Sequence, residues 1–345
     1  MGVDLGDLAV KHKVELEELA GKSVAIDGMN ILYQFLASIR QEDGTPLMDM
    51  KGRITGHLSG LFYRSIRLVN AGLKPVYVFD GPPPEFKSKT IEERIEVRRE
   101  AEEKWKKALA EEKIEEAKKY AQGSSRLTKE MVDESKRLLS LMGIPWVQAP
   151  SEGEAQAAWM VHKGMCYASA SQDYDSLLFG SPILLRNLSI TGKRKVPKQN
   201  RFVDIEIERV ELEETLKHLG LRREQLILIG IMVGTDFNEG VRGIGPKTAF
   251  KIVKEQDTLE KVKAYLKKEK EYEFPEDVEK IYEFFMAPPY KEVEEIRWGK
   301  PAREGVIELL VDEHDFSLDR VDKALEGMMA NIKETRSQRT LDKWF

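Results

Sequence analysis

The first half of the 345-residue chain alternates short apolar runs with segments in which apolar residues recur at helical spacing. Short apolar runs bounded by turn residues are typical of strands, and the longer periodic segments predict amphipathic helices. This alternation predicts an α/β fold with a central, mostly parallel, twisted sheet flanked by helices. The predicted strands are Ser23–Asp27, Val76–Asp80, Tyr167–Gln172, Ile183–Arg186 and Arg201–Ile205.

Helical periodicity separates these strands and continues to the end of the chain. The predicted helices among the strands are Ile31–Arg40, His57–Asn70, Lys129–Met142 and Glu154–His162. An apolar helix, Arg222–Val233, precedes a Gly-rich turn and a second helix that begins at Pro246. Residues 258–331 are predicted to be helical, and no chemistry is assigned to them.

The segment from Glu85 to Tyr120 departs from this pattern because 22 of its 36 residues are charged, 11 acidic and 11 basic. A segment with so few large apolar residues cannot bury one face in a core. We therefore predict an insertion that projects into solvent or contacts a charged ligand. The run Gly123-Ser124-Ser125 is predicted to be the hinge that ends it.

Composition limits the compartment and the kind of metal site. No apolar run approaches the ~20 residues of a membrane span, and the N-terminus lacks an apolar signal segment, so we expect a soluble, intracellular protein. Cys166 is the only cysteine and the five histidines are scattered, which excludes a thiolate zinc site. A metal site in this protein must therefore consist mainly of oxygen ligands, which favour Mg²⁺ or Mn²⁺. The net charge of −5 is a mild argument against a nucleic acid partner, although local basic patches decide binding.

Acidic residues fall where the predicted strands end. Asp27 and Asp80 each close an apolar run, and Asp173 follows the third run. Because the carboxyl ends of parallel strands line the ligand crevice of an open sheet, these three side chains are expected to lie close together. Their mutual repulsion is costly unless cations occupy the site.

Four more acids are expected to join this group. Glu152 and Glu154 open a predicted helix, Asp175 lies two residues past Asp173, and Asp236 sits in the turn after an apolar helix. Seven carboxylates suit two hard cations, and such a pair activates water and stabilises the attacking and leaving oxygens of phosphodiester hydrolysis.

Each acid, taken singly, also has a structural explanation. Asp27 and Asp80 could cap turns, Ser151 and Glu154 fit a capping box, and Asp175 could cap a helix that begins at Ser176. These explanations must account for every acid independently, so the metal-site interpretation is favoured.

The sequence resembles the flap endonucleases of the XPG-type 5′ nuclease family, in their prokaryotic or archaeal form, over essentially its whole length. The matching segments are Val24–Gly28, Val76–Gly81, Ala149–Ala155, Gln172–Asp175 and Arg242–Lys247. The resemblance implies that all seven acids are catalytic metal ligands. One metal would take Asp27, Asp80, Glu152 and Glu154, and the other would take Asp173, Asp175 and Asp236.

The implied activity is two-metal-ion hydrolysis of a phosphodiester at the base of a 5′ flap in branched DNA, with 5′–3′ exonuclease side activity. The implied setting is DNA replication, including Okazaki fragment maturation, and DNA repair. The implied cofactors are two Mg²⁺ ions, with Mn²⁺ as an alternative. Two other functions stay open: a related exonuclease or repair incision nuclease, and a non-catalytic junction-binding adaptor.

The charged insertion matches the helical arch of the family. Lys87, Arg94 and Arg98 have the spacing i, i+7, i+11, which places them along one helix face. By resemblance, Lys87 and Arg94 are catalytic and stabilise charge on the scissile phosphate. A solvated helix with i,i+4 ion pairs is the structural alternative. The family often has a basic residue where this chain has Val97, which leaves arch contacts there open.

Further DNA contacts follow from the resemblance. Tyr33 matches an aromatic residue that stacks on a flipped terminal base, although a core aromatic is the alternative. Glycines in a helix–turn–helix allow close approach of a phosphate to helix N–H groups. The family motif also binds K⁺ and grips duplex DNA without reading bases. The implied DNA-binding residues are Gly2, Tyr33, Arg98, Gly243, Gly245, Lys247 and Lys251.

The C-terminus carries three bulky apolar residues on a polar tail. The segment Gln338–Phe345 resembles a sliding-clamp binding box of the proliferating cell nuclear antigen type, with Gln338, Leu341, Trp344 and Phe345 as anchors. Docking of the tail onto its own domain is the alternative. We expect a monomer that binds branched double-stranded DNA and the clamp, and no membrane.

The predicted organisation is one nuclease domain, 1–331, and a flexible tail, 332–345. The domain divides into an N-terminal nuclease region 1–84, a helical arch 85–128, a second nuclease region 129–233, a helix–turn–helix motif 234–257 and a C-terminal helical part 258–331.

Overall fold

The computed structural model describes residues 2–188, 193–195, 202–275 and 277–341, with Lys89, residues 193–195, 202–204 and 335–341 described through their backbone alone. In chain order the strands are β1 Lys11–Val14, β2 Ser23–Asp27, β3 Lys74–Phe79, β4 Trp146–Gln148, β5 Ala168–Ala170, β6 Ile183–Arg186, β7 Lys193–Lys195, β8 Phe202–Asp204 and β9 Ile207–Glu211. Seven of them form one sheet in the order β1-β9-β6-β5-β2-β3-β4, and β7 pairs with β8 alone.

The sheet is parallel at its centre and antiparallel at one edge. Strands β4, β3, β2, β5 and β6 run parallel, whereas β9 pairs antiparallel with both β6 and β1. The prediction of a mostly parallel α/β sheet is therefore confirmed. Strands β1, β4, β7 and β9 were not predicted. The sequences of β1, β7 and β9 are mostly charged or polar, and β4 is only three residues long.

One predicted strand was assigned to the wrong sheet. The prediction Arg201–Ile205 corresponds to β8, which pairs with β7 outside the main sheet, and Arg201 itself lies outside the described residues. Strands β2 and β6 have the predicted bounds, whereas β3 begins two residues earlier than predicted and β5 is shorter.

Helices cover both faces of the sheet. They are α1 Gly28–Ser38, α2 Gly56–Asn70, α3 Ser88–Ala110, α4 Ile114–Gly123, α5 Lys129–Leu141, α6 Gly153–His162, α7 Asp175–Leu178, α8 Leu212–Leu219, α9 Arg223–Val233, α10 Pro246–Glu255, α11 Leu259–Lys270, α12 Val278–Met286, α13 Arg303–Ile307 and α14 Leu318–Leu341. Ile26 and Tyr77 join the core formed by α1, α2 and α5, and Ala25 and Val76 face α6. Alternate strand residues therefore fill two cores, as a three-layer fold requires.

The charged insertion forms an antiparallel helix pair, α3 and α4. Ion pairs at i,i+4, such as Arg99 with Glu103 and Lys104 with Glu100, run along the exposed face of α3. Ala108 and Ala117 of this segment are buried, and so is Ala121 just after it, although none of them belongs to the large hydrophobic clusters of the protein. These small side chains allow close approach of the helix backbones. A search for large apolar residues does not detect burial of this kind.

The C-terminal part is less regular than predicted. Residues 287–302, between α12 and α13, contain no helix, and a π-helical turn, Glu308–Asp312, follows α13. Helix α14 continues to Leu341, so the backbone is still helical where the flexible tail was predicted to begin at residue 332. Within the described residues, no helix is both long enough and apolar enough to cross a bilayer.

Candidate active site

The carboxyl ends of β2, β3 and β5 open into one cleft of about 860 Å³. Asp27 ends β2, Asp80 directly follows β3, and Asp173 follows β5 by three residues. Six of the seven predicted acids line this cleft: Asp27, Asp80, Glu152, Glu154, Asp173 and Asp236. Acids from positions more than 200 residues apart are thus brought together, as the strand-end pattern predicts.

The seventh acid, Asp175, lies buried beneath the cleft and contacts the N-terminal segment. Its Oδ1 accepts a hydrogen bond of 2.9 Å from the backbone N–H of Val3. A Cβ added at Gly2 would lie 2.5 Å from both Asp175 Oδ2 and Asp173 Cβ. Only glycine fits at position 2, so the structure places Gly2 against two of the acids.

Burial and mutual repulsion raise the pKa values of most of these carboxyls. Burial and then the charge of Asp236 raise the pKa of Asp175 to about 8. Burial is also the largest cause that raises the pKa of Glu152 to about 7, with a contribution from Asp80. The pKa of Glu154 is raised well above its ordinary value by burial and by Asp175. The site therefore holds more negative charge than the neighbouring positively charged groups of the protein neutralise.

Burial and the other acids also raise the pKa values of the three strand-end carboxyls. Asp236 differs: burial opposes its ionisation, but hydrogen bonds from Arg94 hold its pKa below the ordinary value. Arg94 Nη1 and Nη2 lie 3.2 and 2.5 Å from the two carboxylate oxygens of Asp236. Charge-assisted, bidentate pairs of this kind are strong, and this one neutralises part of the negative charge of the cluster.

Lys87 supplies the second positive charge. Its Nζ donates to Glu152 Oε2 at 2.6 Å and lies 3.9 Å from Asp236 Oδ2. Lys87 is a buried side chain, and lysine is rarely buried without a partner. Burial alone would lower its pKa, but Glu152 and Asp80 raise it, so the ammonium stays charged.

Within the described part of the chain, no group of three or more His, Cys, Asp or Glu side chains is arranged to hold a metal ion as it stands. The carboxylates instead pair with cations and N–H donors of the protein. The donor set nevertheless fits hard divalent cations, because it consists of carboxylate oxygens whose repulsion such cations would relieve.

The capping explanations hold for one acid. Asp27 is the N-cap of α1 and accepts from the backbone N–H of Asn30 at 3.0 Å. Glu152 occupies the N-cap position of α6 without a side-chain capping bond, and Glu154 Oε1 accepts instead from Ser176 Oγ. Asp175 lies inside α7. The capping box and the Asp175 cap were therefore wrong.

Two residues that the sequence reasoning missed orient the acids. Asn30 Nδ2 donates to Asp173 Oδ2 at 3.0 Å, so one residue of α1 links Asp27 to Asp173. The Gly153 N–H donates to Asp80 Oδ1 at 2.7 Å, and a Cβ there would lie 2.8 Å from the same oxygen. The position of Asn30, one turn after Asp27, is the only signal that the sequence offered.

The other predicted arch residues line the same cleft. Arg98 lies over the ring of Tyr33, with its Cζ 4.7 Å from the ring centroid. Tyr33 is partly exposed and lines the cleft, so the core alternative for this aromatic was wrong. Val97 lines the cleft too, with 65% of its surface exposed.

The predicted helix–turn–helix joins α9 to α10. Helix α9 ends at Val233 with Gly234 as its C-cap, and Gly245 is the N-cap of α10, with Pro246 as the first helical residue. A Cβ at Gly243 or Gly245 would meet nothing within 4 Å, so the turn faces open space. Lys247 and Lys251 are exposed on the first turns of α10, where Lys247 pairs with Asp7.

The predicted clamp box begins within α14. Gln338 and Leu341 belong to α14 and are described through their backbone alone. Trp344 and Phe345 lie outside the described residues.

Known families match most of the nuclease region. The XPG N-terminal domain matches residues 1–101, and the XPG I-region matches residues 143–236. The flap endonuclease 1 of Pyrococcus abyssi is 55% identical to this chain, over 100% of this chain and 98% of that protein. The flap endonuclease 1 of Methanococcoides burtonii is 54% identical over the whole of both chains.

Solved structures agree with this assignment. The flap endonuclease-1 of Methanococcus jannaschii superimposes with a TM-score of 0.73 and 44% identity, over 97% of this chain and all of that one. The catalytic core of Rad2 in complex with DNA substrate has a TM-score of 0.72 at 24% identity over 95% of this chain and all of that one, which shows a shared fold. The chain therefore belongs to the flap endonuclease 1 family of XPG-type nucleases.

Proposed function

We propose that this protein is a structure-specific 5′ flap endonuclease that hydrolyses a phosphodiester at the base of a 5′ flap in branched DNA. We also propose that it has a 5′–3′ exonuclease side activity. Its proposed role inside the cell is in DNA replication, including Okazaki fragment maturation, and in DNA repair. The observation that carries it is one cleft in which six carboxylates lie beneath two arch cations. The carboxylates of this cleft suit divalent cations, and its lysine and arginine side chains suit the negatively charged phosphodiester.

The seven acids are proposed to hold two Mg²⁺ ions, with Mn²⁺ as an alternative. Asp27, Asp80, Glu152 and Glu154 would hold one ion, and Asp173, Asp175 and Asp236 the other. Such ions supply an activated water and stabilise the charge of the attacking and leaving oxygens. The chain contributes the orientation of the carboxylates, through Asn30 on Asp173 and the Gly153 N–H on Asp80.

Lys87 and Arg94 are proposed to contact the scissile phosphate. Both already lie against cleft carboxylates, so a metal-loaded site would free their charges for a phosphate in the same cleft. Charged donors that are already held in position stabilise developing negative charge better than donors in water, because they need not reorient during the reaction. Tyr33, with Arg98 on its ring, offers a flat face on which a terminal base can stack.

Duplex DNA is proposed to bind along the helix–turn–helix. The open glycine turn and the N-terminus of α10 present backbone N–H groups to phosphates, and Lys247 and Lys251 add charge. A K⁺ ion is proposed at this turn on the resemblance alone. Contacts of this kind recognise shape and position rather than base sequence.

A labelled 5′-flap duplex, incubated with and without Mg²⁺, tests the function. We expect release of the flap as one oligonucleotide, only when the metal is present. Release of mononucleotides as the main product would instead identify an exonuclease. Binding without cleavage under all metal conditions would identify a junction-binding adaptor.

The C-terminal residues are proposed to recruit a sliding clamp to a monomeric enzyme. Truncation after Glu334 removes Gln338, Leu341, Trp344 and Phe345, and none of these is among the proposed catalytic residues. We therefore expect unchanged flap cleavage by the truncated protein alone and loss of stimulation by the clamp. The measurement is the cleavage rate with increasing clamp concentration. Full stimulation of the truncated protein would contradict this assignment.

A further inference from the structure

Five phenylalanine rings form a cluster next to the acidic cleft. They come from the arch base, from the end of α7, from the loop after α9 and from α12: Phe86, Phe179, Phe237, Phe284 and Phe285. Phe86 directly precedes Lys87, and Phe237 directly follows Asp236. The backbone N–H of Phe179 donates to the carbonyl of Asp175. Three of the rings are therefore tied through the backbone to proposed site residues.

The arch base is held through Phe86. Residues Glu85–Lys87 form a single 3-10 turn that leads into α3. The ring of Phe86 packs edge-on against Phe237 at a centroid distance of 5.5 Å and against Phe284 at 5.4 Å. A turn of three residues transmits a shift of the Phe86 ring directly to the next residue, Lys87.

The Lys87 side chain also depends on this cluster. Its Nζ lies 5.2 Å from the centroid of the Phe237 ring and donates a hydrogen bond to Glu152. The loop that carries Phe237 is fixed, because the Thr235 hydroxyl accepts from the Phe237 N–H and hydrogen-bonds the side chain of Asn238. The ring of Phe237 is therefore a firm support for the lysine stem, and the position of the Phe86 turn decides where the ammonium lies.

Phe284 connects these parts. Its ring packs edge-on against Phe86, Phe237 and Phe179, at centroid distances of 5.4, 5.3 and 5.8 Å. It lies on α12, about 200 residues from the arch in sequence, in a part of the chain that carries none of the proposed metal ligands. Because Phe284 is only half-buried, its role as core filler is smaller than that of its fully buried neighbour Phe285.

We propose that Phe284 is a positioning residue for the reaction, which holds the Phe86 turn and thereby places Lys87 against the scissile phosphate. The inference rests on the function proposed above for Lys87. It predicts that the ring of Phe284 acts on the rate of the chemical step through Lys87, and that it contributes little to the affinity for DNA.

The experiment measures single-turnover cleavage of a 5′-flap duplex at saturating enzyme, together with the dissociation constant of the same duplex. Phe284→Leu is expected to slow cleavage about tenfold, since displacement of a positioned group by a fraction of an ångström is enough for such a loss. Its dissociation constant is expected to stay within about twofold. Phe284→Tyr keeps the ring and should cleave at the parent rate.

Matched variants separate positioning from general loss of packing. Tyr282→Leu removes a half-buried aromatic side chain from the same helix, without a described ring contact to Phe86, and should leave the rate unchanged. Phe86→Leu alters the other side of the same contact and should slow cleavage as Phe284→Leu does. Thermal unfolding midpoints of all variants show whether each one is folded at the assay temperature.

A double-mutant cycle with Lys87→Met decides the mechanism. If Phe284 acts through Lys87, Phe284→Leu has no further effect on the rate once Lys87 is replaced. Full additivity of the two rate losses, or equal losses in Phe284→Leu and Tyr282→Leu, would overturn the inference. Parent-like cleavage by Lys87→Met alone would instead refute the role proposed for Lys87, and the two failures are thus distinguishable.

Discussion

Asp175→Ala is expected to abolish metal-dependent flap cleavage and to leave the affinity for branched DNA almost unchanged. Asp175 is buried beneath the cleft, where the charges of Asp236 and Asp173 raise its pKa and its own charge raises the pKa of Glu154. Loss of one carboxylate from a two-metal site removes several kcal/mol of transition-state stabilisation, which corresponds to a rate loss of about 10³-fold or more. Single-turnover cleavage and equilibrium binding of the same 5′-flap duplex are the measurements.

Asp175→Asn gives an independent signature in the metal-free protein. The pKa of Asp175 is raised from 3.8 to about 8, so between these pH values the folded protein holds a proton that the unfolded chain has released. The stability that this proton linkage contributes is complete below pH 3.8 and is lost as the pH rises through about 8. Asparagine removes the titration.

The free energy of unfolding of the variant without metal should therefore exceed that of the parent at alkaline pH, with a smaller difference at acidic pH. Added Mg²⁺ should stabilise the parent more than the variant, because ligand binding stabilises the folded state that binds it. A variant that cleaves flaps at the parent rate, or that responds to Mg²⁺ as the parent does, would contradict the assignment of Asp175 as a metal ligand.

The central sheet and the acidic cleft were predictable because their signals are local. The runs that end in Asp27 and Asp80 are uninterrupted apolar segments, and the carboxyl ends of parallel strands must meet at one edge. Neither conclusion requires knowledge of side-chain packing. The edge strand β1 and its neighbour β9 escaped prediction because their charged, partly exposed positions resemble those of a solvated loop.

Features that depend on contacts between distant segments were not predictable. Nothing in the sequence shows that Gly2 packs on Asp173, that Arg94 pairs with Asp236, or that Phe284 joins the arch base to the cleft. Each contact requires the relative placement of whole elements, and side-chain periodicity carries no such information. The burial of Ala117 and Ala121 in the arch is a similar case, since alanine alone is a weak signal of burial.

Lys87→Ala and Arg94→Ala are each expected to slow the chemical step by about 10²- to 10³-fold, the usual effect of removing one donor that stabilises developing charge. Both side chains approach the cleft carboxylates directly, Lys87 at 2.6 Å from Glu152 and Arg94 at 2.5 Å from Asp236. The dissociation constant of the flap duplex should change far less, because most of the proposed phosphate contacts lie elsewhere on the protein. Single-turnover rates at saturating enzyme and equilibrium titrations measure the two effects separately.

Lys251→Ala is the matched control, because it removes one exposed charge from the proposed duplex-binding helix rather than from the cleft. It should weaken binding and flatten the salt dependence of the affinity by about one unit of slope, with an unchanged single-turnover rate at saturation. Lys87→Met keeps the buried aliphatic stem and removes only the charge. It should therefore match Lys87→Ala if the ammonium group is what acts on the phosphate. Equal losses of rate and affinity in the Lys87 and Arg94 variants would instead place both residues among the ordinary DNA contacts, and the arch would then bind the flap without taking part in its hydrolysis.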